Sequence, residues 1–388
     1  MKFSKQQQLS SELLVIDGMW GSGKSVITQL VSVFDSMECW RIDLPFDNIP
    51  VLYGMDSIEE SAAITLIRNL FDEMTYNVSI SRSVNFRYKD QTSVFNHPKK
   101  YEYILRLFDK GGDYFLKKID KSRMIIPIAT HMSSSNNDLF LRALGKRCKI
   151  IRCVRNPIFM IEHWAGYIGR CQTDSREFTL KIDHKGEDVP FFAKGWEDEY
   201  LEINDFEKSI KSISLLTDHY DNNFDKLNKK YGKYSVLEVS FESAVKDTDN
   251  VANVISEFIN RGINSKTYSK VKKKSKLPRS SISSESIYAN TDWKNNTNER
   301  LDGEADIIKK KLDFIKNKVF LYVDNRFLGS FINLMYSKLS LNKNAIIIFD
   351  PKFFKRKSYL QYALFEQAYY DIKKKKLNIL SNYILYFF

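Results

Sequence analysis

The segment Gly18-Met19-Trp20-Gly21-Ser22-Gly23-Lys24-Ser25 fits the pattern G-x-x-x-x-G-K-[ST] in full. Glycines at these positions let the backbone curl so that successive N–H groups point at one anion. A helix beginning at the end of the loop adds the positive end of its dipole. Lys24 supplies a point charge to a phosphate, and the Ser25 hydroxyl can bind phosphate, or Mg²⁺ where a metal is present. Gly18, Trp20, Gly21, Ser22, Gly23, Lys24 and Ser25 are therefore the first candidates for contact with a phosphate-bearing cofactor. A second candidate is Arg155, in Lys149-Ile-Ile-Arg-Cys-Val-Arg155-Asn156-Pro157. An Arg at the end of an apolar strand and beside a helix start is placed to grip a second phosphate. The competing reading of Arg155 is a surface arginine in a tight turn.

These residues need a frame. Leu13-Leu14-Val15-Ile16-Asp17 reads as a buried strand ahead of the loop, and Ser25 to Met37 carries Val26, Ile27, Leu30, Val31 and Phe34 at helical spacing. Met124–Ile128, Lys149–Val154 and Ser235–Val239 read as three more buried strands. A helix is expected over Ile158 to Tyr167 and another over Val251 to Ile259, with Val251, Val254, Ile255 and Phe258 on one face. The region from about 56 to 120 reads as largely helical, with Ile64, Leu66, Ile67, Leu70 and Phe71 as a stripe. Short apolar strands alternating with helices predict an α/β fold, three layers α/β/α, around a mainly parallel sheet. Lys266 to Ser286 is rich in Lys and Ser and is expected to be a mobile loop or lid. The texture changes near Lys318, so residues 1–317 are read as the P-loop domain and 318–388 as an appendage of unknown role.

Composition narrows the field. The 388 residues carry 60 Lys and Arg against 48 Asp and Glu, a net charge of +12 that favours anionic partners. The Lys residues scatter along helices, so a solvated face is preferred to nucleic acid as their explanation. Cys39, Cys148, Cys153 and Cys171 form no CxxC pair and no Cys/His metal spacing, and are expected to be reduced thiols. The N-terminus lacks an apolar signal-peptide core, and no run reaches the roughly 20 apolar residues of a membrane helix. A cytoplasmic protein without a membrane span or a metal site is expected; oligomeric state is not legible.

The P-loop alone does not choose between ATP hydrolysis, phosphoryl transfer and other chemistry. Three segments, in order, resemble the sulfotransferase family, the P-loop-fold enzymes that use 3′-phosphoadenosine 5′-phosphosulfate (PAPS). The first is the strand, loop and helix at 13–37. The second is Pro127-Ile-Ala-Thr130-His131 followed by Lys149 to Tyr167, similar to the family's K-T-H strand and its strand ending in Arg-Asp/Asn-Pro. The third is Ser235-Val-Leu-Glu-Val-Ser-Phe241-Glu242, similar to a late strand ending in Tyr-Glu. Thr291-Asp292-Trp293-Lys294-Asn295 is a fainter echo of the late G-D-W-K-N element. The resemblance spans about residues 13 to 260.

It implies sulfuryl transfer from PAPS to a hydroxyl acceptor, possibly a carbohydrate. Residues 21–25 would hold the 5′-phosphosulfate, with Lys24 stabilising charge on the bridging oxygen. Arg155 would bind the 3′-phosphate, and His163, standing where the family usually has Ser, would donate to it. His131 would be the general base. Segments 42–120 and 171–205 would shape the acceptor pocket. The runner-up is a Mg-ATP-dependent P-loop kinase or NTPase, which would use the full GxxxxGKS directly and take Asp350, after Ala345–Phe349, as its late metal carboxylate. A non-catalytic phosphate-binding protein is the third reading.

Overall fold

The computed structural model of the chain describes residues 1–109, 113–133, 138–232, 234–279 and 311. Strand β1 (Glu12–Asp17) buries every residue but its first, as a run with no polar face must when both sides are covered. After it come α1 (Lys24–Val31), α2 (Leu44–Gly54), α3 (Glu60–Ser79), α4 (Lys100–Arg106), α5 (Asp113–Ser122) and β2 (Ile125–Thr130). Then follow α6 (Leu139–Leu144), β3 (Cys148–Val154), α7 (Ile161–Thr173), the hairpin strands β4 (Lys181–His184) and β5 (Glu187–Pro190), and α8 (Glu197–Glu202). The described part closes with α9 (Asp205–Tyr231), β6 (Val236–Ser240), α10 (Phe241–Lys246), α11 (Thr248–Ile259) and α12 (Ser265–Lys274).

The described residues divide into two compact units. One holds Met1–Arg155, Thr173–Lys194 and 216–279; the other holds Asn156–Gln172, Gly195–Leu215 and Lys311. The first unit contains a four-stranded, fully parallel sheet in the order β2-β1-β3-β6. The mainly parallel α/β architecture expected from the sequence is thus what forms. Side chains alternate across the strands. Leu13 and Val15 of β1 join Ile126, Ile128, Ile150 and Val236 in one core with Phe46, Ile67, Phe71 and Phe140 of the helices α2, α3 and α6. On the other face α1 packs on β1 and β2, and α10, α11 and α12 pack on α1. Each fully buried Leu, Ile or Phe of these cores contributes about 1.5–3 kcal/mol. In the second unit Trp164 is fully buried. There Trp196 meets Tyr200 edge-on at 5.3 Å, and Lys211 lies 4.8 Å over Trp196 while pairing with Glu199.

Several expectations need correction. The helix after the loop stops at Val31, not Met37. Ser32 bonds its hydroxyl back to the Gln29 carbonyl, Ser36 takes a left-handed φ of 61°, and residues 37–41 then run beside β2 as a further parallel edge. The largely helical region 56–120 holds α3, α4 and the start of α5, with an irregular segment between α3 and α4 that Ser81 and Ser83, both left-handed, open. Leu66 and Val254 leave their stripes for solvent at 43% and 40% exposure; Ala63 and Met74, and Ala252 and Ile259, complete the buried faces instead. The Lys-rich segment at 266 is helical as far as Lys274: Asn264 caps it by accepting from the Thr267 N–H, and three lysines sit in the last turn, where the helix dipole favours cations. Residues 275–279 continue as turn and irregular chain; residues 280–286, the 317/318 boundary, Thr291–Asn295, Ala345–Asp350 and the 318–388 appendage lie outside the described residues. All four cysteines are buried, and no helix among the described residues is long and apolar enough to cross a membrane.

A buried polar knot braces the first unit. Glu38 accepts from Arg106 at 2.8 and 3.1 Å and from the Tyr103 hydroxyl, and His97 packs edge-on against Tyr103 at 5.8 Å. His97 Nδ1 accepts the Lys99 N–H at 3.2 Å, and its Nε2 is buried without a partner among the described residues. Burial holds its pKa down to about 4, against an ordinary 6.5. The folded pKa lies below the unfolded one, so this stabilisation is present above pH 6.5 and is lost as pH falls from 6.5 toward 4. Denaturant titrations at pH 7.5 and 4.5 should show His97 costing about 2–3 kcal/mol of stability across that interval. His97→Gln should flatten the slope by that amount; an unchanged slope would mean that His97 is accessible to protons in the native state.

Candidate active site

All four strands of the sheet end at one edge, at Asp17, Thr130, Val154 and Ser240. The chain leaves β1 toward β2 on one side and leaves β3 toward β6 on the other, so the crevice between the ends of β1 and β3 is the topological switch point where open α/β sheets bind ligands. The loop 18–25 follows β1 and Arg155 follows β3. Both phosphate candidates therefore stand at this crevice.

Within the loop, Gly21 and Gly23 adopt left-handed φ of 76° and 88°. A Cβ on Gly18 would lie 2.6 Å from the Cys153 carbonyl and 2.6 Å from Ser22 Oγ, so only glycine lets the loop lie against β3. Helix α1 starts at Lys24 with no side-chain cap and no acid in its first turn, which leaves its terminal N–H groups for an anion. Ser22 Oγ is buried and makes no hydrogen bond to the described residues. Lys24 is 8% exposed, and its ammonium donates to the carbonyls of Gly18 at 2.7 Å and Met19 at 2.9 Å. Burial pushes its pKa down, opposed by the charges of Asp17 and Asp47. Ser25 is exposed, and Trp20 is buried with its ring edge-on to Phe192 at 5.5 Å. The cradle, the buried hydroxyl and the lysine fit a phosphate-bearing group.

The end of β2 is tied to the loop through Asp17. Its fully buried carboxylate accepts from Thr130 Oγ1 at 2.7 Å and from the N–H and hydroxyl of Ser133 at 3.1 and 2.9 Å. Met132, with φ of 63°, makes the turn that brings Ser133 back. His131 stands between these anchors. Its N–H donates to Asp47 Oδ1 at 2.5 Å, and its Nδ1 lies 3.2 Å from Asp47 Oδ2. In the tautomer whose Nδ1–H donates to the Asp47 carboxylate, Nε2 keeps the lone pair. Asp47 comes from the first turn of α2.

Arg155 is 7% exposed. Its Nη1 donates to the Gly21 carbonyl at 3.0 Å, and its guanidinium lies 4.2 Å over the Phe241 ring. Burial lowers its pKa to about 10, with Glu242 opposing, so it stays charged at neutral pH. The surface-arginine reading therefore fails. His163 is on α7 in the second unit, half-buried, with its ring stacked on Tyr167 at 6.1 Å. The first unit thus gathers the loop, Lys24, His131 and Arg155. Sequence reasoning missed Asp47, Ser133 and the Phe241 shelf; Asp47 lies 84 residues from His131, and no spacing rule links the two.

No protein-family profile and no curated protein matches the chain. Its fold is similar to solved sulfotransferase structures. The sulfotransferase domain from the Synechococcus PCC 7002 olefin synthase is 11% identical, with a TM-score of 0.38 over 87% of this chain and 98% of that one. The sulfotransferase domain from the curacin biosynthetic pathway is 12% identical, with a TM-score of 0.41 over 87% and 99%. Mouse sulfotransferase SULT7A1, complexed with PAP, is 11% identical, with a TM-score of 0.35 over 86% and 87%. At these identities and superpositions the likeness bears no weight on what the residues do.

Proposed function

We propose that the protein transfers a sulfuryl group from PAPS to a hydroxyl acceptor. The observation that carries this is what stands at the ends of the two strands flanking β1: Thr130-His131 after β2 and Arg155 after β3. A Mg-ATP enzyme wants a free carboxylate there. Among the described residues the carboxylates at this edge are engaged, Asp17 by three donors and Asp47 by His131. The arrangement offers Lys24, Arg155 and the His131 imidazole around the loop, which suits a nucleotide with two anionic ends. A cytoplasmic setting fits the buried free thiols Cys39, Cys148 and Cys153.

Bound PAPS supplies the sulfuryl group. The chain's own part is positioning and charge. The loop amides and Lys24 hold the 5′ end and stabilise negative charge on the leaving oxygen. Arg155, fixed by the Gly21 carbonyl and the Phe241 ring, holds the 3′-phosphate. Asp47 orients His131 so that Nε2 takes the proton of the acceptor hydroxyl, and stabilises the imidazolium that results. His163, in the second unit, is kept as a proposed donor to the 3′-phosphate.

Calorimetric titration with adenosine 3′,5′-bisphosphate and with ATP, each with and without Mg²⁺, tests the reading. Metal-independent preference for the bisphosphate is expected. Arg155→Ala should weaken the bisphosphate by about 2–4 kcal/mol and 5′-AMP much less. Mg²⁺-dependent preference for ATP, or an equal loss for both nucleotides, would overturn the assignment.

A further inference from the structure

Helix α4 in the first unit is turned inside out. Its polar side is the buried one, where Tyr103 and Arg106 hold Glu38 in the polar knot. Its apolar side faces water. Tyr101 and Leu105 stand four residues apart, so on one face, at 69% and 67% exposure. Phe108 extends the stripe at 83% exposure. The turn that carries it keeps a helical shape, since the N–H groups of Leu107 and Phe108 donate to the carbonyls of Ile104 and Leu105 at 3.2 and 3.0 Å.

The stripe is part of a larger patch. Of the sixteen large apolar side chains that the described residues expose, six fall between 101 and 116: these three, Leu107, and Tyr114 and Leu116 of α5. Helix α5 turns Ile119 inward and packs on α3. Lys118 ties it to the end of the stripe by pairing with Asp109, next to Phe108, at 3.3 Å. Tyr114, Lys117, Lys118 and Lys121 recur at the spacing of one helix face. Single exposed apolar residues need no explanation, but a gathered patch rimmed by charge marks a surface that binds.

Charge decides what covers it. Residues 99–123 hold eight basic and four acidic residues. Lys99 and Arg106 are drawn to Glu38, whereas Lys117, Lys121 and Arg123 are exposed. A second copy of the chain would set this excess of cations against itself. The chain's own residues 318–388, with 12 basic against 4 acidic residues, would add to it. Like charges across an interface cost affinity. The fitting occupant is apolar inside and anionic at its surface, as a bilayer with acidic headgroups is. Tyrosine and phenylalanine rings sit at headgroup level, and lysine stems lie along the apolar boundary with their ammonium groups among the phosphates.

We propose that α4 and α5 form a docking surface on which the protein rests against an anionic lipid bilayer without crossing it. This stands independently of sulfuryl transfer. The test is flotation of the full chain with vesicles of phosphatidylcholine alone and of phosphatidylcholine with about 30% phosphatidylserine. Binding is expected to the acidic vesicles only, and should fall about tenfold or more as NaCl rises from about 0.1 to 0.5 M. The double variants Leu105→Ser with Phe108→Ser, and Lys117→Glu with Lys121→Glu, should each weaken it about tenfold or more. All four side chains are exposed, so unfolding midpoints should hold. Position is read separately. An environment-sensitive dye on Leu105→Cys should shift to the blue on acidic vesicles, and the same dye on Val254→Cys, exposed on α11 at the other face of the sheet, should not. No binding to acidic vesicles, equal binding to neutral ones, binding that either double variant keeps, or a shift at position 254 in place of 105 would overturn the proposal. So would a concentration-dependent dimer that Leu105→Ser with Phe108→Ser abolishes, which would give the patch to a second copy.

Discussion

Lys24→Ala should lower turnover by about 10³-fold or more, the loss seen when a preorganised group opposite developing charge is removed. The reason is specific to this loop. The ammonium is buried, and burial works against its charge while the Gly18 and Met19 carbonyls and the field of Asp17 and Asp47 work for it. A cation held in this way needs no reorganisation when an anion arrives. The same argument gives the sign of the stability change. Alanine removes a charge that pays a desolvation penalty, so thermal unfolding without nucleotide should shift little or upward. Single-turnover rates together with unfolding curves check both halves. Turnover within tenfold of the parent would remove Lys24 from the site, and a collapsed fold would make it a structural residue.

Gly23→Ala should be the most damaging small substitution. Its φ of 88° and ψ of 17° are left-handed, and a Cβ there would sit 2.2 Å from Cδ2 and 2.9 Å from Cγ of Phe241. Left-handed strain costs about 1–2 kcal/mol and overpacking about 1–3 kcal/mol more. The ring that would have to move is the one on which Arg155 rests, so displacing it should also weaken nucleotide binding. A double-mutant cycle with Phe241→Ala separates the two parts: the steric share should disappear in the double variant and the backbone share should remain. Additive losses would show that Phe241 yields freely and that the backbone alone suffers.

The loop and the four strands were legible because their signals are local, although β6, expected buried, buries only Val236 and Val239. GxxxxGKS fixes a turn by residue type, and an all-apolar run of five residues has few places to go but the middle of a sheet. What escaped was set by contacts far apart in sequence. Whether the helix after the loop ends at Val31 or Met37 depends on residues 37–41 finding the edge of β2 about 90 residues on, where Met37 pairs with Ile125. The Lys-rich segment looked like a loop because its apolar content is low; an Asn cap and a favourable C-terminal charge distribution made a helix of its first part. His131 was singled out through a resemblance, while the carboxylate that orients it is contributed by another helix.

The four buried cysteines have a practical consequence. Burial pushes Cys39 and Cys153 up to about 12 and Cys148 higher still, so these thiols supply almost no thiolate while the fold is closed. An alkylating reagent then reads how often each neighbourhood opens, not how reactive its sulfur is. Cys148 and Cys153 keep time for the sheet, Cys39 for the polar knot and Cys171 for the second unit. The chain carries its own set of clocks, two of them on the strand against which the phosphate loop is folded.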